Sequence, residues 1–328
     1  MKAIIFDTRD YDRVALEQAN EAFGHELTFL EPRLDEKTAP LAQGNDAVVA
    51  FVNDKLDART LRALAKAGVR LVALRCAGYN NLDLKAASEL ALRAVHVPSY
   101  TPHAVAEHVF ALLLSLVRHT IRAYDRVRDG NFSVEGLVGF NLHGKNFGIV
   151  GLGQIGRAVA AIAHGMGCRL LAYDPVATSS DLPITFMPLD EVLAQSRVVS
   201  LHAPLTPETH HMIDTRRLRL MPRDAVLINT SRGGLINTRA LITHLKKGNL
   251  AGVGLDVYEE EDSVFYHDLS NEILSDDKLA RLLTFRNVVI TSHMGFLTRE
   301  ALQDIATTTL ASLADFEAGR PLRHQIRG

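Results

Sequence analysis

Between residues 146 and 293 the chain repeats one pattern: a short run of almost unbroken apolar residues, a turn, then residues with helical periodicity. The runs are NFGIVG, RLLAYD, RVVSLHAP, AVLINTS, AGVGLDVY and NVVITSH. A strand with one wet face alternates polar and apolar residues, whereas these runs are apolar on both faces and need cover on both. A parallel sheet with helices on either side meets that need. The first hundred residues repeat the pattern on a smaller scale, with AIIF, ELTFL, AVVAFV, RLVALRC and AVHVP as strands and helical segments near 14–23, 56–67 and 84–90. The fold class is therefore α/β, with two doubly wound parallel-sheet domains. A length of 328 residues exceeds what one core usually serves, in keeping with two domains.

Two helices are expected outside this alternation. In TPHAVAEHVFALLLSLVRHTIRAYDRVRDG, Thr101 is placed to cap, Pro102 to occupy the first turn and Gly130 to end one long helix. Its apolar stretch, VFALLLSLV, is far shorter than a membrane span and reads as a buried helix. The segment TREALQDIATTTLASLADFEAGR reads as a terminal amphipathic helix.

Composition narrows the function classes. A net charge of -2 offers no broad basic field, so nucleic acid is not an expected partner. The start MKAIIFDTRD meets charge after four apolar residues, too few for a secretory signal core, and no membrane association is expected. Two cysteines, Cys76 and Cys168, supply neither a disulfide framework nor a metal ligand set, which fits a reducing cytoplasm.

The most specific motif is GLGQIG. It follows the strand NFGIV and opens a helix, so Gly151 allows the tight turn, Gly153 the close approach of a pyrophosphate, and Gly156 the packing of helix on strand. Gln154 and Ile155 form the helix start, whose free N–H groups favour phosphate. The next strand ends at Asp174, 18 residues after Gly156, near the spacing of a ribose-binding acid. A carboxylate there repels a 2′-phosphate, and PVATSS holds no Arg or Lys to bind one. The motif points to NAD rather than NADP.

A nicotinamide cofactor exchanges a hydride, so the protein must handle a proton and polarise the reacting oxygen. In open α/β sheets ligands gather outside the carboxyl ends of the strands. Four polar features emerge there: His202, Arg232, the cluster Glu259–Glu260–Glu261, and His293. Arginine binds a carboxylate bidentately, and a histidine beside a carboxylate makes a proton donor. Spacing alone does not choose between the two histidines or among the three glutamates.

The blocks RCAGYNNLDL, VPSYTPHAVAEH, GLGQIGRAVA with YDP, LHAPLTPET, INTSRGGLIN, GLDVYEEE and SHMGFLT, in that order, make the chain resemble the D-isomer-specific 2-hydroxyacid dehydrogenases. Within them it is most similar to the fermentative D-lactate dehydrogenases of bacteria. The resemblance implies a Rossmann-type NAD-binding domain over 100–297, inserted in a flavodoxin-like substrate domain made of 1–99 and 298–328, with the active site in a cleft. It assigns Arg232 to the substrate carboxylate and keto oxygen, Glu261 as partner of the imidazole, and His293 as acid/base. His202, Ala203, Pro204, Thr209, Thr230 and Ser231 then line the cofactor and Asp256 meets the carboxamide, while Glu259 and Glu260 become ordinary solvated residues. Cys76, Ala77 and Gly78 offer backbone N–H groups to the substrate, Tyr100 and Arg9 reach it, and Phe296 closes the methyl end. The implied reaction reduces pyruvate, a small 2-keto acid, with NADH, in a homodimer or a tetramer of two pairs. Two other readings stand beside it: a dehydrogenase of bulkier 2-keto acids, and a dinucleotide-sensing binding protein on the same fold.

Overall fold

The computed structural model describes residues 1–98, 101–261 and 264–326. The chain divides into two compact units, Met1–Thr101 with Phe296–Gly328, and Pro102–Gly295.

The first unit holds β1 (Lys2–Ile5), α1 (Asp10–Asn20), β2 (Glu26–Phe29), β3 (Ala47–Ala50), α2 (Ala58–Lys66), β4 (Leu71–Leu74), α3 (Leu84–Glu89) and β5 (Arg93–His96). Its strands form a parallel sheet in the order β2-β1-β3-β4-β5. Every residue of β3 and β4 is buried, as unbroken apolar runs require. The chain changes direction across the sheet between β1 and β3. The loops leaving β1, β3 and β4 therefore share the edge where such folds bind ligands.

The second unit opens with α4 (Pro102–Val117) and α5 (Thr120–Arg128), where the sequence predicted one helix. His119 adopts φ +53° and the two helices meet at 60°. The buried face of α4 has no continuation in α5, which buries no residue, and at Gly139 the returning chain packs against the Val117 carbonyl. Among the described residues no single helix is long and apolar enough to cross a membrane.

There follow β6 (Asn146–Val150), α6 (Gln154–Gly165), β7 (Arg169–Tyr173), β8 (Ile184–Phe186), α7 (Leu189–Gln195), β9 (Val198–Leu201), α8 (Thr215–Leu218), β10 (Val226–Asn229), α9 (Thr238–Leu245), β11 (Gly252–Leu255), α10 (Asp277–Leu283) and β12 (Val288–Ile290). The sheet is parallel, ordered β12-β11-β10-β9-β6-β7-β8. The edge strand β8 was not foreseen, because three half-exposed residues carry too little pattern. Alternate strand residues feed two cores, Val199, Leu201 and Leu227 on one face and Phe147, Ile149 and Ile228 on the other. The switch of direction falls between β6 and β9, bringing the glycine motif beside residues 202–204.

The last helix, α11 (Arg299–Glu317), belongs to the first unit. Its Ala306, Leu310 and Leu313 pack with Leu16 and Ala19 of α1 over Ala3, Ile5, Val49 and Ala73.

Candidate active site

The glycine motif occupies the switch point of the larger sheet. Gly151 has φ +93°, and a Cβ there would stand 2.6 Å from the His202 carbonyl oxygen, so the loops leaving β6 and β9 touch backbone to backbone. A Cβ on Gly156 would lie 2.1 Å from the Gly151 carbonyl oxygen, which keeps α6 against its strand. At Gly153, the N-cap of α6, the corresponding space is open, and no side chain caps the helix. Gln154 and Ile155 follow as the first helical residues. A helix start with uncapped N–H groups facing open space suits a pyrophosphate.

Asp174 leaves β7 with its carboxylate turned back to that loop. Oδ2 accepts from Leu152 N–H at 2.6 Å, and Oδ1 from the N–H groups of Val176 and Ala177, each at 2.8 Å. Burial alone would raise its pKa, but these bonds outweigh it and lower it. Three of about four acceptor positions are taken, so Oδ2 keeps a lone pair for a ribose hydroxyl. Thr230 is buried and its Oγ1 has no hydrogen-bond partner among the described residues, a polar atom that a bound cofactor would satisfy. The residues present therefore fit NAD.

His202 hydrogen-bonds through Nε2 to Ser200 Oγ at 2.8 Å, and burial pushes its pKa down to about 3. It is neutral at physiological pH, which suits it poorly to donating a proton. Beside it Ala203 is buried, and its carbonyl accepts from Ser231 Oγ at 2.7 Å. The Thr209 hydroxyl donates to the Pro204 carbonyl at 2.6 Å and accepts from Thr206 N–H, so it shapes its own loop.

Arg232 leaves β10 in a loop braced by Asn229, a fully buried residue whose Nδ2 donates to the Arg232 carbonyl at 2.9 Å. Arg232 NH1 donates to the Ser231 carbonyl at 2.7 Å, and no carboxylate pairs with the guanidinium among the described residues. A Cβ on Gly233 would lie 2.1 Å from the Tyr258 carbonyl, so this loop lies directly on the one carrying Glu261. Glu261 accepts from Tyr258 N–H through Oε2 at 2.8 Å, and its Oε1 lies 2.7 Å from His293 Nδ1. With Nδ1 donating to the carboxylate, His293 Nε2 is left without a partner among the described residues. His293 has φ +54°, and its carbonyl accepts from Tyr266 Oη at 2.9 Å.

Asp256 is 1% exposed and collects four donors: His108 Nε2, Thr291 Oγ1, Met294 N–H and Gly295 N–H. Burial would raise its carboxyl, but the bonds from His108 and Thr291 and from Met294 N–H hold it at about 2. His108, Thr291 and Asn229 were missed by sequence reasoning, since lone polar residues in apolar runs carry no pattern. Glu259 corrects an expectation. It is not a solvated residue but accepts from His211 Nε2 at 2.5 Å and from Thr238 N–H at 3.2 Å. The stacked ring of His210 lies 3.8 Å from that of His211. Glu260 stays at the surface, paired with Lys278.

In the first unit, Cys76 Sγ bonds to the Gly78 carbonyl at 3.2 Å and His96 Nδ1 to the Ala77 carbonyl at 2.9 Å. Arg9 is not a free surface arginine, for its NH2 donates to Asp7 Oδ1 at 3.0 Å. Phe296 is buried with its ring 5.9 Å from that of Phe51. Tyr100 lies outside the described residues.

Residues 110–295 match the model of the D-isomer specific 2-hydroxyacid dehydrogenase, NAD binding domain. D-lactate dehydrogenase of Escherichia coli is 45% identical over 328 residues, covering 99% of this chain and 100% of its own. The apo-structure of the E. coli enzyme superposes with a TM-score of 0.91 at 44% identity, covering 99% of this chain and 100% of that one. D-lactate dehydrogenase with NAD+ from Lactobacillus jensenii gives 0.85 at 28% identity with both chains fully covered. The chain belongs to the D-isomer-specific 2-hydroxyacid dehydrogenases, enzymes that use NAD.

Proposed function

We propose that the protein is a D-lactate dehydrogenase reducing pyruvate, with Arg232, Glu261 and His293 as its catalytic residues. The observation that carries this is a guanidinium with no carboxylate partner among the described residues, on a loop in backbone contact with the one carrying the glutamate of a His–Glu pair. NADH supplies the hydride when bound. Arg232 binds the substrate carboxylate and stabilises charge on the keto oxygen. Glu261 accepts from His293 Nδ1–H and so orients the ring, and with the ring doubly protonated its Nε2–H gives the proton to that oxygen. The N–H groups of residues 76–78, Arg9 and Phe296 are further candidates for substrate contact.

Residues 151–156 would hold the cofactor's pyrophosphate and Asp174 a ribose hydroxyl, with Thr230, Ser231 and residues 202–204 as further cofactor contacts and Asp256 as the residue that would meet the carboxamide. Thr209 acts through its loop. The exposed apolar side chains of Ile121, Tyr124, Val127, Phe132, Val134 and Val138 support a homodimer formed through α5 and the segment after it. Two buried free cysteines fit a cytoplasmic location. The test is NADH oxidation on adding pyruvate, 2-ketobutyrate or phenylpyruvate, with chiral analysis of the product. Fast turnover of pyruvate to D-lactate is expected, and turnover confined to the bulkier acids, or none, would overturn the reading.

A further inference from the structure

We propose that Arg75 is a positioning residue that holds the substrate-facing edge of the first unit and sets discrimination by size among 2-keto acids. The proposal rests on the reading above that residues 76–78, Arg9 and Phe296 meet the substrate. Arg75 directly follows β4 and precedes the 76–78 loop, yet it is only 2% exposed. Its guanidinium ties three chain segments together. NH1 donates to Asp12 Oδ1 at 2.8 Å and NH2 to the Asp7 carbonyl at 2.6 Å, while the group lies 4.3 Å above the Phe51 ring.

Each tie leads to a proposed substrate contact. Asp7 is a buried, non-glycine residue at φ +48°, a conformation that persists only when its surroundings fix it. Arg75 holds its carbonyl, and its carboxylate in turn holds Arg9. Asp12 accepts from Arg9 N–H at 3.2 Å through its other oxygen, so Arg9 is fixed from both ends. Phe51 is anchored by Asp54, which accepts its N–H at 2.6 Å, and its ring neighbours both the guanidinium and Phe296. Thus one side chain stiffens the anion-facing loop, the arginine and the aromatic wall, without itself reaching the substrate.

A buried ion pair is a poor way to gain stability, since apolar residues of similar volume often serve as well. Its worth here lies in its geometry: a planar fork with fixed directions, which lysine cannot reproduce.

The experiment compares Arg75→Lys, the double variant Arg75→Met with Asp12→Asn, and Phe296→Ala. The double variant removes both members of the buried Arg75–Asp12 pair and keeps the test open should the lysine variant fold poorly. For each, kcat/KM is measured with pyruvate, 2-ketobutyrate and phenylpyruvate, together with NADH affinity and the thermal midpoint. Loss of positioning predicts a KM for pyruvate raised about tenfold and a preference for pyruvate over 2-ketobutyrate reduced roughly fivefold, with NADH affinity unchanged. A proportional fall with all three acids, or no change, would overturn the proposal in favour of a purely structural role. Should Phe296→Ala leave the preference unchanged, the wall reading itself fails. A shift with Phe296→Ala but not with the Arg75 variants removes the positioning role alone.

Discussion

Asp256 wraps the turn that carries His293: its main-chain carbonyl accepts the His293 N–H at 2.7 Å, and its carboxylate accepts the next two N–H groups, those of Met294 and Gly295. His293 is held in a left-handed conformation by a residue 37 positions earlier in the sequence. An acid placed at the carboxamide by family resemblance thereby gains a second task, presenting the imidazole. Asp256→Asn keeps the volume but loses the charge that gathers four donors. We expect kcat to fall about tenfold or more, alongside weaker NADH binding, because supporting bonds of this kind are worth that much. Stopped-flow turnover and NADH fluorescence separate the two effects, and loss of NADH affinity with kcat intact would confine Asp256 to the cofactor.

Arg232→Lys retains the charge and discards the fork. The KM for pyruvate should rise on the order of a hundredfold while NADH affinity stays put. Unchanged steady-state constants would remove Arg232 from the carboxylate.

His293→Ala and Glu261→Gln should each lower kcat, the first by about a hundredfold or more and the second by less, since the imidazole remains but its orientation is weakly held. NADH titration of both variants should match the parent. A Glu261→Gln enzyme as slow as His293→Ala would mean that the carboxylate does more than orient.

The candidate site was legible in the sequence where a residue type announced its chemistry at a strand end. Arg232 and His293 stand directly after apolar runs, and the glycines fall on the spacing that a pyrophosphate loop demands. The choice between His202 and His293 was not legible from spacing. The two environments differ, for one imidazole lies beside a serine and the other meets a carboxylate. What holds these groups was also invisible. Asn229, His108, Thr291 and Arg75 act through partners up to 183 residues distant, and nothing local distinguishes them from ordinary polar residues. The helix break at His119 escaped because both halves have good helical sequence, and only burial tells them apart.

The desolvation of the partly buried His202 has a consequence for stability. Its folded pKa is pushed to about 3 from an ordinary 6.5. Between those values the unfolded chain binds a proton that the folded chain refuses, so stability falls as pH drops below 6.5, by at most about 1.4 kcal/mol per pH unit. His202→Gln should flatten that slope. Urea midpoints at pH 7 and 5.5 measure it, and parallel declines in parent and variant would place the acid sensitivity elsewhere.

The pairing of α11 with α1 bears on how the molecule is made. The sheet over residues 2–96 lacks one of its covers until residues 299–317 exist, and His25 Nε2 bonds to the Leu310 carbonyl, 285 positions away. The second unit is continuous in the chain and carries no such debt. During synthesis it should close first, leaving the earliest strands emerged but uncovered for the longest time, exposed to chaperones and to one another.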